Sequence, residues 1–451
     1  MAKILCVTTG LTGIRNASFE LINRLQAEGN QCICASPADI AEEVKAQEFD
    51  YLQLPEVNYD PAPSLPYFGG PFKKLKRIAY KYRYVKTRRA EAIKSLGMSR
   101  FMKLVQAENP DLILVDVELH EHIMTLVVSE FKVILLSQWF SLWKQKGLPP
   151  LVSDIMPGVG FDGSLFGIKW AWTKIEIKRW WVFFKRKWVS GFTDRRSVLL
   201  EYAKQIGFSK KYIPDNYWPG PFTYAQLPVI SITSDELEFP HDKRPNLHYI
   251  GPMVYEKRLD TQIPSNTRKK LEKVIEEKKA SNKRLIYCSV STFKSGDASF
   301  IKKVISAVSQ KKDWILIVGL GGKLQGQFQG TLPANVYIFD YVPQLQVLKD
   351  ADLSINHGGI HTINECIHFG VPMLIYSGKR SDQNGCAARI HHHGLGIMAD
   401  KDGDDLQAIR MKIDTILKDG TFHFTIKNIR RKLEEEKPER MRVFKIITDI
   451  K

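Results

Sequence analysis

The sequence predicts an α/β fold of two parallel-sheet domains in series, facing each other across a cleft. Three observations predict it. Apolar strands alternate with helical patterns near the amino terminus, the same alternation restarts at Arg284, and a polar, Lys-rich stretch from Glu256 to Lys283 separates the two runs. At 451 residues the chain is too long for one ordinary core and suits two domains of about 200 residues each.

Taken in order, Lys3–Thr8 is a β-branched, apolar strand ending in the turn Thr9–Gly13. A helical pattern runs from Ser18, with Phe19, Leu21, Ile22 and Leu25 apolar, and stops at Gly29; Gln31–Ala35 is the next strand. This strand–loop–helix–strand order signals a right-handed β-α-β unit. Asp111–Asp116 and Lys132–Leu136 read as further buried parallel strands, and Asn246–Met253 as a strand leaving the first unit. In the second half, strands are expected at Arg284–Val290, Trp314–Val318, Val336–Phe339, Leu353–Asn356 and Met373–Tyr376, with a helix from Phe300. Residues from Thr425 onward read as charged helices packing back on the first domain. The expected division is 1–245 for the first domain, 246–283 for a strand and linker, 284–420 for the second domain and 421–451 for the helical tail.

Composition narrows the class. With 44% hydrophobic and 25% charged residues the chain is a folded one, not a disordered one. Its longest apolar runs, such as Val133–Leu136, are far too short to span a bilayer. The amino terminus reads directly as a strand and lacks the pattern of a signal peptide. Six cysteines do not make a disulfide framework, and Cys32-Ile33-Cys34 has no matching second pair of ligands, so reduced packing residues in a cytoplasmic protein are expected and no metal site. Lys and Arg total 66 against 49 Asp and Glu, a formal charge of +17, which favours a polyanionic neighbour.

The most informative stretch runs from Phe339 to Gly396. It contains Tyr341-Val342-Pro343-Gln344, His357-Gly358-Gly359-Ile360-His361-Thr362-Ile363-Asn364-Glu365, Gly370-Val371-Pro372 and Asp382-Gln383. Physically, a strand ends at Asn356, His357–Gly359 is a tight turn, and a helix starts just after it with Thr362 in its first turn. Free backbone N–H groups and the positive end of the helix dipole then face the loop, a ready-made diphosphate site. Glu365 falls one turn further, where its carboxylate can accept hydrogen bonds from ribose hydroxyls, and Tyr341 offers a flat face for a base.

These linked motifs resemble the UDP-glycosyltransferase family, closely from about Arg284 to Ala399 and more loosely over the first half. The resemblance implies the GT-B fold, two Rossmann-like domains across a cleft with a carboxyl-terminal helical tail, and transfer of a hexose from a UDP-sugar. It also implies roles. His357 contacts the diphosphate, Thr362 the α-phosphate, Glu365 the ribose, Tyr341 and Val342 the base, and Asp382 and Gln383 the sugar hydroxyls. Ser291 and Thr292 match the family's small hydroxyl loop near the phosphates, and Gln344, Gly359 and His361 complete the expected donor set. The chain departs from the family at Cys386, where Asn is common, at Lys379 and Arg380, which add charge beside the sugar, and in a segment Met373–Ser381 about one residue longer than usual.

On the acceptor side, the family usually places a His in the loop after the first strand, oriented by an Asp from a later strand. Here that loop contains no His, and Ile14 occupies the position; Gly13, Ile14, Arg15 and Trp139 are the expected acceptor contacts. Asp116, at the carboxyl end of its strand, matches the partner Asp, and Glu118, His120, Glu121 and His122 follow it. Asp116 or His120 is therefore expected to supply the base. A nucleotide-sugar-binding protein of the same fold without transfer chemistry is the alternative.

Seven of the nine tryptophans fall between Trp139 and Trp188, and 167–188 interleaves aromatics with seven Lys or Arg and one acid, Glu176. A second basic run, 73–89, interleaves Tyr80, Tyr82 and Tyr84. Trp and Tyr favour the water–lipid interface and cations favour anionic headgroups, so an apolar or lipid acceptor and an anionic membrane surface are expected partners. An aromatic-lined pocket with solvated charges is the other reading. No nucleic-acid module is present, so nucleic acid is not an expected partner. Asp350-Ala351-Asp352 and Asp402-Gly403-Asp404 read as solvated surface, and no cofactor beyond the UDP-sugar co-substrate is required.

Overall fold

A computed structural model describes residues 1–59, 67, 69–220, 222–258, 263–289, 298–322, 324, 328, 331–379 and 382–444. Its first sheet contains β1 (Lys3–Val7), β2 (Gln31–Ser36), β3 (Asp50–Gln53), β4 (Leu112–Asp116), β5 (Val133–Ser137), β6 (Val229–Ser231) and β7 (Leu247–Tyr249). Its second contains β8 (Arg284–Ser289), β9 (Trp314–Gly319), β10 (Val336–Phe339), β11 (Leu353–Asn356), β12 (Met373–Tyr376) and β13 (Gly396–Ala399). The helices that matter here are α1 (Thr12–Ala27), α2 (Lys73–Arg83), α3 (His120–Val128), α4 (Leu165–Ser190), α5 (Ser265–Ala280), α6 (Ile360–Phe369), α7 (Gln383–His392) and α8 (Gly420–Met441).

Both sheets are parallel throughout, in the orders β3-β2-β1-β4-β5-β6-β7 and β10-β9-β8-β11-β12-β13. Parallel strands need helical crossovers that cover both faces, which is why these strands are apolar at nearly every position. The two-residue period sorts them: Leu5 and Val7 enter one core layer, Ile4 and Cys6 the opposite one. In the second sheet Leu285 and Tyr287 face one layer, Ile286 and Cys288 the other. All six cysteines are free thiols buried in these layers.

Strand order reverses direction between β1 and β4 in the first sheet and between β8 and β11 in the second. At such switch points adjacent loops diverge and leave a crevice at the carboxyl ends of the strands. This is the GT-B arrangement. It places the loops after β1 and β4 on one side of the cleft and the turn after β11 on the other.

The sequence boundaries need correction in three respects. Helix α1 begins at Thr12, six residues before Ser18, so Gly13, Ile14 and Arg15 lie in its first turn and not in a loop. The weak helix formers Thr12 and Gly13 mask this start, which is fixed by burial of Ile14 and by Gly10 turning the chain at φ +80°. The short strands β3, β6 and β13 have only three or four residues each and offer too little alternation to be recognised. Finally, the tail begins earlier than Thr425, with α8 starting at Gly420 and carrying Pro438 inside it.

The second half is bound to the first by buried and half-buried contacts. Arg389 of α7, fully buried, places Nε and Nη2 at 2.9 and 2.7 Å from Glu238 Oε2, with its guanidinium between the rings of Phe140 and Phe239. Gly385 N donates to Leu151 O at 3.0 Å, an approach so close that any side chain at 385 would strike the Leu151 carbonyl. At the end of α8, Arg440 binds Asp235 at 2.9 Å and also Glu236, and Phe444 is buried in the core layer that holds Ile4.

Candidate functional site

The turn between β11 and α6 is built by Asn356. Its Oδ1 accepts from Gly358 N at 2.9 Å, and its Nδ2 donates to Ser354 Oγ at 3.1 Å. Gly358 has φ +82°, and a Cβ there would meet Ile375 Cγ2 at 2.9 Å and Gln383 O at 3.0 Å, so both the turn and the space require glycine. No side chain of the N-cap residue Gly359 closes the amino end of α6. His357 lies over that end, with its Nε2 against Gly359. Burial pushes its imidazole down to about 4, and its Nδ1 is buried without a hydrogen-bond partner.

Glu365, one turn along α6, is oriented before any ligand arrives. Arg258 Nη1 donates to Glu365 Oε1 at 2.7 Å, and Gln344 Nε2 donates to Oε2. Gln344 is fixed in turn by Tyr287, whose hydroxyl donates to Gln344 Oε1 at 3.1 Å, and its Nε2 also lies 3.4 Å from Thr362 Oγ1. Tyr341 is exposed, with its hydroxyl end over Gly322, while Val342 packs on Gly319. Asp382 is buried at the head of α7, and burial pushes its carboxyl up to about 6 against hydrogen bonds from Cys386 and the Ile360 amide. Gln383 Oε1 accepts from Gly378 N at 2.9 Å and so shapes the loop after β12. Thus Gln344, His357, Gly359, Thr362, Glu365, Asp382 and Gln383 converge on one end of the second sheet. Ser291 and Thr292 lie outside the described residues.

Across the cleft, Asp116 ends β4 with its carboxyl buried. Glu118 N donates to Asp116 Oδ1 at 3.0 Å, while Oδ2 is buried without a partner. Burial, reinforced by the charge of Glu118, pushes Asp116 up to about 8. The residues after it divide. Glu118 is half-buried and raised by burial, with Arg195 and the Trp139 indole opposing and Asp382 reinforcing, which puts Glu118 in the field of the donor motif. His120 turns inward: its Nδ1 is 2.6 Å from Tyr224 Oη, and it stacks on Phe222 at 5.7 Å and 14°. Burial pushes His120 down to about 3. Glu121 and His122 are buried in the first core, with Tyr59 donating to Glu121.

Trp139 continues the His120–Phe222 stack, 6.2 Å and 14° from Phe222. Ile14 is buried, and its carbonyl accepts from Gln138 Nε2 at 3.4 Å. Arg15 points elsewhere, paired with Glu43 at 2.7 Å. Gly13 meets His361: the imidazole from α6 lies so close that any Cβ at position 13 would collide with it. One donor-side histidine therefore reaches the first turn of α1 in the other domain, a stretch with no histidine of its own.

Against this geometry, residues 305–448 match the family described as erythromycin biosynthesis protein CIII-like, C-terminal domain. The uncharacterized UDP-glucosyltransferase YdhE of Bacillus subtilis (strain 168) is 29% identical over 187 residues, 42% of this chain and 44% of that protein. The zeaxanthin glucosyltransferase of Pantoea ananas is 26% identical over 216 residues, 48% of this chain and 46% of that one. In sequence the chain is thus similar to glucosyltransferases over less than half of its length. It covers less than half the length of these curated relatives, in both cases. At the level of fold, the chain matches the glycosyltransferase of kitacinnamycin with a TM-score of 0.66 and 16% identity, over 99% of this chain and 98% of that one. It matches CalG4, the calicheamicin glycosyltransferase, with a TM-score of 0.64 and 15% identity, over 100% and 99% of the two chains.

Within this site, sequence reasoning passed over Arg258, Tyr287 and Phe222. The first two hold Glu365 and Gln344 from segments distant in the chain, and no local pattern marks them. The Asp-x-Asp triplets are only partly surface residues. Asp350 and Asp352 pair with Lys279 and Arg284, both at 3.2 Å, and Asp402 pairs with Lys379 at 3.0 Å. Asp404, read as solvated, is buried and accepts from Tyr376 Oη at 2.9 Å.

Proposed function

We propose that the protein transfers a hexose from a UDP-sugar to a hydroxyl of an apolar small molecule or lipid, with inversion and without a metal. The observation that carries this reading is Glu365 held by Arg258 and Gln344 one turn below an uncapped helix end, with His357 beside it. In this reading the ribose hydroxyls donate to Glu365, and the diphosphate takes the amide groups at the start of α6 and the Thr362 hydroxyl. Those donors face the oxygen on which charge develops as UDP leaves, so they act most strongly in the transition state. Tyr341 and Val342 flank the base, and Asp382 and Gln383 the sugar. The acceptor hydroxyl loses its proton to Asp116, its oxygen bonds to the anomeric carbon, and the bond from that carbon to the diphosphate oxygen breaks. His120, tied to Tyr224, forms with Phe222 and Trp139 an apolar wall for the acceptor. The name of one relative, zeaxanthin glucosyltransferase, supports an apolar acceptor.

Incubating the protein with individual nucleotide sugars and measuring free UDP tests the chemistry before any acceptor is known. At least one UDP-hexose should be hydrolysed slowly, and Glu365→Ala should reduce the apparent affinity for it by about tenfold or more, the loss of a charge-assisted ribose contact. No release of nucleotide from any donor, together with no detectable nucleotide-sugar binding, would overturn the reading.

A further inference from the structure

We propose that the face formed by α2 and the carboxyl-terminal two-thirds of α4 docks the protein onto an anionic lipid bilayer. Helix α4 is 26 residues long, yet only Gly167, Ile168 and Trp172, all in its first third, are buried. Trp172 anchors that third, its indole N–H donating to Leu148 O at 2.8 Å. Beyond it one side of the helix still faces the domain, where Arg196 lies over the Phe183 ring at 5.1 Å, while the other side carries exposed aromatics. Trp180 is 51% exposed, Trp181 58% and Trp188 47%. With Phe184 they form one patch: Trp180 and Phe184 stack at 5.4 Å and 15°, and Phe184 lies 5.8 Å from Trp188. The spacing 180, 184, 188 puts these rings on one side of the helix. A contiguous exposed aromatic patch of this kind marks a binding surface.

Helix α2 extends the same surface. None of its residues is buried, and it joins α4 where Tyr82 Oη donates to Trp188 O at 3.1 Å and Lys81 Nζ to Val189 O at 3.3 Å. Charge identifies the occupant. Residues 73–83 of α2 carry six Lys or Arg and no acid, and 174–188 of α4 carry six and one acid, Glu176. A bilayer takes both halves of this chemistry at once, with indole rings at headgroup depth and cations on lipid phosphates. A second copy of the chain would bring the same positive charge against itself. Single-stranded nucleic acid is bound by a groove that tracks its backbone, which a pair of exposed helices does not provide. No described helix is long and apolar enough to cross a membrane, so the contact is one of lying on the surface. This inference stands apart from the transfer chemistry, since docking requires no reaction.

Co-sedimentation with vesicles of phosphatidylcholine alone or with about one-third phosphatidylglycerol, at low and high salt, tests it. The protein should pellet with anionic vesicles at low salt and be released at high salt. Reversing Lys185, Arg186 and Lys187 to Glu should weaken binding on the order of 100-fold, and Trp180→Ala with Trp181→Ala should also weaken it at unchanged circular dichroism. Retention of full UDP-sugar binding by both variants would separate docking from the active site. The proposal is overturned by absence of vesicle binding at low salt, by binding that ignores both sets of substitutions, or by vesicle-free dimerisation or single-strand gel shifts that alone respond to them.

Discussion

Asp116 concentrates the conflict between stability and chemistry. Its carboxyl is buried with one oxygen unpartnered, and its pKa is raised from 3.8 to about 8. A carboxyl whose folded pKa is raised binds its proton more tightly in the folded state. Its contribution to stability is full below about pH 4 and is lost as pH rises through about 8. Asp116→Asn removes that loss. Its melting temperature should match the parent's at pH 4 and exceed it by a margin that grows to pH 8, measured by calorimetry across that range. The same variant should lose transfer by about 10²–10⁴-fold, the usual worth of a general base. The parent's rate should rise with pH through a limb near 8 that is absent from Asp116→Asn. His120 differs although it is equally buried, because its ring nitrogen is already bonded to Tyr224 and its ring is packed between aromatics.

At the scale of elements, the turn from β11 into α6 governs donor binding through backbone geometry. Gly358→Ala would place a methyl group 2.9 Å from Ile375 at a φ of +82°. Combined backbone strain and overpacking should cost about 2–4 kcal/mol. Because the strained atoms lie at the diphosphate end of the helix, nucleotide affinity should fall along with the melting temperature; an unchanged affinity by calorimetric titration would contradict that placement. This element was legible in the sequence because its chemistry is local: strand, glycine turn and helix occupy consecutive residues from Leu353 to Phe369. The strands β1, β4, β8 and β9 were legible for a similar reason, as each is a continuous apolar run. What was not legible depends on distant partners. The start of α1 is hidden behind Thr12 and Gly13, and that glycine makes sense only once His361 lies against it. Arg258 and Tyr287 sit in segments with no motif, and only the fold brings them to Glu365 and Gln344. The run after Asp116 read as one titratable group, but a tight turn and then helix α3 send Glu118 to the cleft and the next residues into the core.

Across the whole molecule, some of the contacts that join the two sheets are costly to break. Arg389 has no solvent exposure, so its charge depends on Glu238, and Arg389→Ala leaves that carboxylate buried and unpaired. Breaking such a pair should cost about 3–5 kcal/mol, read as a drop in the denaturation midpoint. Arg389→Met combined with Glu238→Leu, which removes both charges, should recover much of the loss. The electrostatic clasp of Arg440 on Asp235 and Glu236 joins the halves at another point, and beside it Met441 and Phe444 complete the apolar layer that contains Ile4, Cys6 and Leu114. That layer is thus made from both extremes of the chain. At about 5–20 residues per second, a ribosome that has just released the first strand needs roughly 20 to 90 seconds more to deliver the side chains that cover it. During that interval the layer holding Ile4, Cys6 and Leu114 lacks Met441 and Phe444.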